Sequence, residues 1–284
     1  MAYRLKKGRR LNRSLKKTAH SQLASAINQI WTVGPGNPEG IHQARKQLKK
    51  NRALLRMLRT SLGERYQPQN CALRDTARLL SARRDDEILL TIFDRLTAPL
   101  PQEERTRLAI VRARLAGRQT AAMHVGTIDR IRGLITLVRL KAVIWKWPAA
   151  GREALSEGWK KGFRRARKGW RKVEQGGDPV QVHEWRKRVK THWYHTRLLQ
   201  GFAPETLSLR RERLRELSVL LGDFQDLVVF REQMAFQPAD FGLPGQVAML
   251  DQLAEAEQSR LLEEARSLGR ELFARKPEWL AEHI

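Results

Sequence analysis

A nine-residue stretch that occurs twice limits the folds open to this chain more than any other feature. Residues 41–49 read IHQARKQLK, and residues 182–190, 141 positions later, read VHEWRKRVK. The same spacing pairs Asp85 with Asp226, so the correspondence continues without a gap for about 50 residues. We therefore expect the chain to build one structural unit twice.

Both copies are predicted to be helical. Apolar residues recur at helical spacing in nearly every segment, whereas alternating runs of β-branched residues are missing. The pairs Asn37-Pro38 and Asp178-Pro179 each place a capping residue before a proline, which favours the start of a helix. Breaks rich in Pro and Gly divide the chain into roughly eight to ten helices. These patterns predict an all-α fold in which two helical bundles are related by a pseudo-twofold axis.

The boundary between the two predicted units falls at residues 147–151, which read WPAAG. It divides the chain into a first unit of residues 1–148 and a second of residues 149–284. Each unit is near the usual size of a domain.

The charge of the chain predicts an anionic partner. Its 55 Lys and Arg residues against 30 Asp and Glu give a formal net charge of +25, which repels itself strongly unless a polyanion or counterions are present. The single cysteine, Cys71, excludes an internal disulfide and fits a reducing compartment. Because the chain contains no apolar run of 18 or more residues and no signal peptide, we expect a cytoplasmic protein.

Helical geometry places the basic residues of each copy on one face. At about 100° per residue, apolar residues such as Ala44 and Leu48 fall on the opposite side. Successive turns present a cation about every 5.4 Å, which suits an extended chain with a charge on every unit. The basic face comprises His42, Arg45, Lys46, Lys49, Arg52 and Arg56 in the first copy, and His183, Arg186, Lys187, Lys190 and Arg197 in the second.

The histidines and the aspartates of the repeat are expected to have different roles. A histidine on the basic face donates to a phosphate oxygen when protonated, so binding is expected to strengthen below about pH 6.5. Asp85 and Asp226 are predicted to orient an Arg or Lys side chain by a charged hydrogen bond. Metal binding or acid–base chemistry is the alternative, and it is less favoured because the acidic cluster at residues 85–87 has no counterpart in the second copy.

The pattern Pro-x-x-x-His-x-x-Arg-Lys-x-x-Lys, followed by Leu-Leu-x-x-x-x-Asp and present twice, resembles the CHAD family, the conserved histidine α-helical domain. The resemblance implies two four-helix bundles whose paired basic helices line a central groove or pore that holds inorganic polyphosphate, and an association with polyphosphate granules. The basic residues named above would then be the anion contacts, with Arg74, Arg164, Arg167 and Arg215 as further candidates. One departure is Gln225, where the family pattern has a cation.

Two other functions compete with this interpretation. A phosphohydrolase is not supported, because the sequence lacks the motifs Gly-x-x-x-x-Gly-Lys and His-Glu-x-x-His. Neither a cofactor nor a metal is predicted, and His192 and His195 are interpreted as ordinary helix residues. Binding of single-stranded RNA remains the alternative, since Trp159, Trp170, Trp185 and Trp193 could stack with bases.

Overall fold

The structure, a computed structural model, describes residues 3–5, 11–32, 38–80, 85–118, 125–143 and 151–275. All regular elements within these ranges are helical, which confirms the predicted all-α class. Within the same ranges, no helix combines the length and the apolar character needed to cross a bilayer. The helices are α1 (Leu11–Thr32), α2 (Pro38–Met57), α3 (Arg59–Leu62), α4 (Tyr66–Leu79), α5 (Asp85–Thr97), α6 (Gln102–Arg107), α7 (Ala109–Gly117), α8 (Val125–Val143), α9 (Arg152–Glu174), α10 (Pro179–Leu199), α11 (Pro204–Phe236) and α12 (Pro244–Phe273), with 3₁₀ turns at Gly63–Arg65 and Pro238–Phe241.

The second basic helix, α10, begins as its sequence predicts. The Asp178 carboxylate accepts a hydrogen bond of 2.7 Å from the backbone N–H of Gln181, and Pro179 occupies the first turn, where its missing N–H leaves no bond unmade. In the first copy, α2 begins at Pro38. Its predicted capping residue, Asn37, lies outside the described residues.

The helices pack in two closed rings, which we call circuits, because each helix contacts the next one and the last contacts the first. The first circuit consists of α1, α2, α4 and α8, and the second consists of α9, α10, α11 and α12. Helix α2 joins the circuits by packing on both α9 and α10. This junction brings the two basic stretches of the sequence together.

The two copies of the repeat differ after their second helix. Shifted by 141 residues, α9 and α10 coincide with α1 and α2, but the long helix α11 corresponds to a stretch that the first copy divides between α4 and α5. Helix α5 packs against α7 and α11, whereas α8 packs against α1 and α4. The predicted boundary at residue 148 lies outside the described residues.

His192 and His195 belong to the core of this junction. Both are at most 2% exposed, and Nε2 of His195 lies 2.9 Å from the carbonyl oxygen of Ala53 in α2. Burial lowers the pKa of His195 to about 4 and that of His192 well below its usual value. Both rings are therefore neutral at neutral pH, and one of them ties α10 to α2.

Helices α2 and α9 approach each other at backbone level. Gly158 of α9 lies against the last residue of α2, Met57, so closely that a Cβ atom on the glycine would overlap the Met57 carbonyl group. The neighbouring Trp159 is fully buried, and its Nε1 donates a hydrogen bond of 3.1 Å to the Thr196 hydroxyl of α10. The absence of a side chain at residue 158 is thus what allows α9 to reach α2.

Gly158→Ala is expected to reduce the free energy of unfolding by about 1–3 kcal/mol, because a backbone carbonyl cannot move aside as a flexible side chain does. Gly133→Ala in α8 is the matched control, since Gly133 is an exposed helix residue with open space around its Cα. The control should gain up to about 1 kcal/mol. Urea unfolding measures both variants, and an undiminished stability of Gly158→Ala would contradict the close contact of α2 with α9.

Candidate anion-binding groove

A groove of about 280 Å³ lies where α2, α10 and α11 meet, and we call it the basic groove. Seven of the predicted binding residues line it together, although they come from both copies of the repeat. They are His42, Arg45, Lys46, Lys49, Arg186, Lys190 and Arg215.

The apolar faces of α2 and α10 direct these cations into the groove. Ala44 and Leu48 on α2 are fully buried, as are Trp185 and Val189 on α10. Because side chains three and four positions apart share a face of a helix, burying this face leaves the basic face on the outside of each helix. The crossing of α2 and α10 then brings the two basic faces to one groove.

Helix α11 supplies the third wall, and it adds carboxylates to the cations. Asp223 and Asp226 line the groove, and Asp223 lies 3.6 Å from Arg95 of α5. Gly222 faces the Arg186 guanidinium, whose nitrogens would lie 3.8 Å from a Cβ atom at this position. Asp226 shares the groove with Arg186, whereas the side chain of Asp85 lies outside the described residues.

The other eight predicted contacts do not line the groove, and the structure gives each of them a protein partner. Arg52 donates to Asn70, Arg56 to Thr191, Arg74 to Asp75, Arg167 to the carbonyl of Ala274 and Lys187 to Glu184. Arg164 lies 3.9 Å from Glu157, the guanidinium of Arg197 lies 5.8 Å from the centre of the Trp193 ring, and His183 bonds to Gln225.

The contact between His183 and Gln225 changes the expectation for this histidine. Nδ1 of His183 lies 2.7 Å from Oε1 of Gln225, and because an amide oxygen can only accept, Nδ1 carries the hydrogen. Burial lowers the pKa of His183, and Lys187 and Arg186 lower it further, while the bond to Gln225 acts in the opposite direction. The ring is therefore neutral at pH 7 in the empty protein, and Nε2 must take up a proton before it can donate to an anion.

One buried lysine of α2, which follows the groove residue Lys49 in the chain, was not predicted from the sequence. Lys50 is 7% exposed, its Nζ donates a hydrogen bond of 2.7 Å to Gln47, and the same nitrogen lies 6.0 Å from the centre of the Tyr3 ring. Burial, followed by the charges of Arg197 and Lys46, lowers the pKa of Lys50 to about 8. The repeat has Thr191 at the corresponding position, so the duplication gave no signal for Lys50.

Two comparisons with known proteins bear on the family and the fold of the chain. The family model described as CHAD domain matches residues 18–235. The crystal structure of the CHAD domain from the plant Ricinus communis is similar with a TM-score of 0.67 and 15% sequence identity, over 97% of this chain and 96% of that chain. At that identity the likeness concerns the fold alone. No curated protein matches the chain.

Gln225→Leu is expected to lower the pKa of His183 further, because it removes the hydrogen bond that opposes burial and the neighbouring cations. The measurement is an NMR titration of the His183 ring, with His183→Gln to assign its signal. In the unaltered protein the midpoint should lie below 6.5, and it should rise when a polyanion fills the groove, since an anion favours the charged ring. A midpoint that Gln225→Leu leaves unchanged would contradict the assigned role of Gln225.

Proposed function

Because the chain belongs to the CHAD domain family, which is associated with polyphosphate binding, we propose that this protein binds inorganic polyphosphate in the basic groove. The observation that carries the proposal is the convergence of seven basic side chains from three helices on one groove. We include in it that binding is not followed by chemical turnover, and that the protein is cytoplasmic and associates with polyphosphate granules. The pseudo-twofold relation of two four-helix bundles, divided near residue 148, belongs to the same proposal.

A chain of phosphates matches the spacing of these cations. Lys46 and Lys49, and likewise Arg186 and Lys190, are separated by about one helical turn, so each helix offers repeated charges along its axis. Arginine provides a planar bidentate fork for phosphate oxygens, and lysine provides a flexible point charge. Like charges three and four positions apart repel each other in the empty protein. A bound polyanion removes that repulsion.

The environment of the tryptophans favours polyphosphate over single-stranded RNA. Trp159 and Trp185 are fully buried, and Trp170 packs against the core. Trp193 lines the basic groove, whereas Trp159, Trp170 and Trp185 do not. Stacking of successive bases needs a series of exposed aromatic faces, whereas this groove offers a series of cations.

The double variant Lys49→Glu/Lys190→Glu is expected to weaken binding of long-chain polyphosphate by about 100-fold or more, because it removes two charge-assisted contacts and adds repulsion. The control is Lys168→Glu/Arg171→Glu on α9, which changes the net charge equally at two exposed residues outside the groove. Titration calorimetry measures affinity, and circular dichroism checks that helix content is kept. Equal losses in the two double variants would contradict binding in the groove.

Competition distinguishes the two polyanions in the same assay. The proposal predicts that polyphosphate displaces single-stranded RNA of equal total charge from the unaltered protein. Salt dependence alone does not separate them, since six to ten phosphate contacts of either kind reduce affinity by roughly 10³ to 10⁵ between 50 and 200 mM salt, by analogy with DNA. Displacement of polyphosphate by RNA at equal charge would favour RNA as the ligand.

A further inference from the structure

A second basic recess lies between α3 and α9, and it shares no lining residue with the basic groove. Its volume is about 470 Å³, and we call it the α3–α9 recess. The lining residues are Arg59, Thr60, Gly63, Lys161 and Arg165. Gly63 has a φ of +53°, a conformation that other residues rarely adopt, and it allows the chain to turn sharply after α3.

Three cations meet in this recess without a carboxylate among the lining residues. Lys161 lies with its Nζ 3.3 Å from the Thr60 hydroxyl, and the Arg59 guanidinium lies 5.1 Å from the centre of the Tyr66 ring. Within the described part of the chain, no acidic side chain forms an ion pair with Arg59, Lys161 or Arg165. The lining of the recess is thus cationic without a carboxylate, unlike the basic groove, which two aspartates line.

The recess is not a by-product of the duplication. At the positions related to Arg59, Lys161 and Arg165 by 141 residues, the chain has Gln200, His20 and Ala24. There the space is filled, because Leu5 donates a backbone hydrogen bond of 2.9 Å to Leu198 and its carbonyl lies where a Cβ of Gly201 would be. The space next to the end of α10 is thus filled by the chain around Leu5, whereas the corresponding space next to α3 stays open and is lined by cations.

We propose that the α3–α9 recess is a second binding site for phosphoryl groups. Arg59 and Arg165 each offer a planar fork to phosphate oxygens, Lys161 offers a point charge, and the Thr60 hydroxyl offers a further donor. Arg59 and Thr60 come from α3, and Lys161 and Arg165 come from α9, so an oxyanion between them links these two helices, which already pack against each other. The site stands on its own residues and does not depend on the residues of the basic groove.

Two kinds of ligand can supply the phosphoryl group: a polyphosphate chain that also occupies the basic groove, or a separate short phosphate. Lys49 lies in α2, and Arg59 follows it by ten residues, in α3, after the break at Leu58. A polyphosphate chain bound in the basic groove is long enough to reach the recess when it has many units, and linked binding at two sites raises affinity without new contacts. A separate short phosphate would occupy the recess independently.

The test titrates tripolyphosphate and long-chain polyphosphate into Lys161→Gln/Arg165→Gln, with Lys168→Gln/Arg171→Gln as the matched control. All four residues are exposed on α9, so both double variants lose the same charge from the same helix. The recess variant should weaken tripolyphosphate binding at one site by at least about tenfold relative to the control. Unchanged affinity for both phosphates relative to the control would overturn the proposal.

Further titrations separate the two sources and isolate the site from the groove. If one polyphosphate chain bridges both sites, the recess variant loses more affinity for long-chain polyphosphate than for tripolyphosphate. If a separate short phosphate fills the recess, orthophosphate binds there, and the affinity of the recess variant for long-chain polyphosphate stays constant. Both results support a phosphoryl site. A last titration uses protein in which the groove is already disabled by Lys49→Glu/Lys190→Glu. If this protein still binds tripolyphosphate, and if adding Lys161→Gln/Arg165→Gln abolishes that binding, the recess is a phosphoryl site even if the groove binds no polyphosphate.

Discussion

The packing of α2 against α9 and α10 is the constraint on which the rest of the structure depends. Gly158 brings α9 onto the last residue of α2, and His195 joins α10 to the backbone of Ala53. The apolar faces of α2 and α10 are buried in the same region. Once these faces are fixed, seven basic residues from the two copies line one groove, although the copies are 141 positions apart in sequence.

In the protein without ligand, nearby carboxylates and neutral side chains reduce the electrostatic repulsion among the cations. Asp223 and Asp226 line the groove, and His183 is kept neutral by burial and by neighbouring cations. The pKa of Lys50 is lowered to about 8, so a fraction of this lysine is neutral in mildly alkaline solution. Since an anion favours the charged form of both residues, the proposed binding of polyphosphate would be accompanied by proton uptake.

The sequence was informative about helices and much less so about the contacts between them. Local patterns predicted the all-α class, the cap at Asp178 and the basic faces, because each depends on residues a few positions apart. The resemblance to the CHAD family is confirmed by the family match. Asp223 and the bond between Gln225 and His183 were not predicted, because they depend on how α11 packs against α10. The separation of α5 from α4 likewise breaks a repeat that reads as continuous in sequence.

Polyphosphate binding at the junction of the two copies is the central claim, and a crystal structure with bound long-chain polyphosphate tests it most directly. The account predicts phosphate groups between α2 and α10, with oxygens about 2.8 Å from the Nζ atoms of both Lys49 and Lys190. Phosphates that contact other basic surfaces and leave these two lysines without a phosphate contact would contradict it.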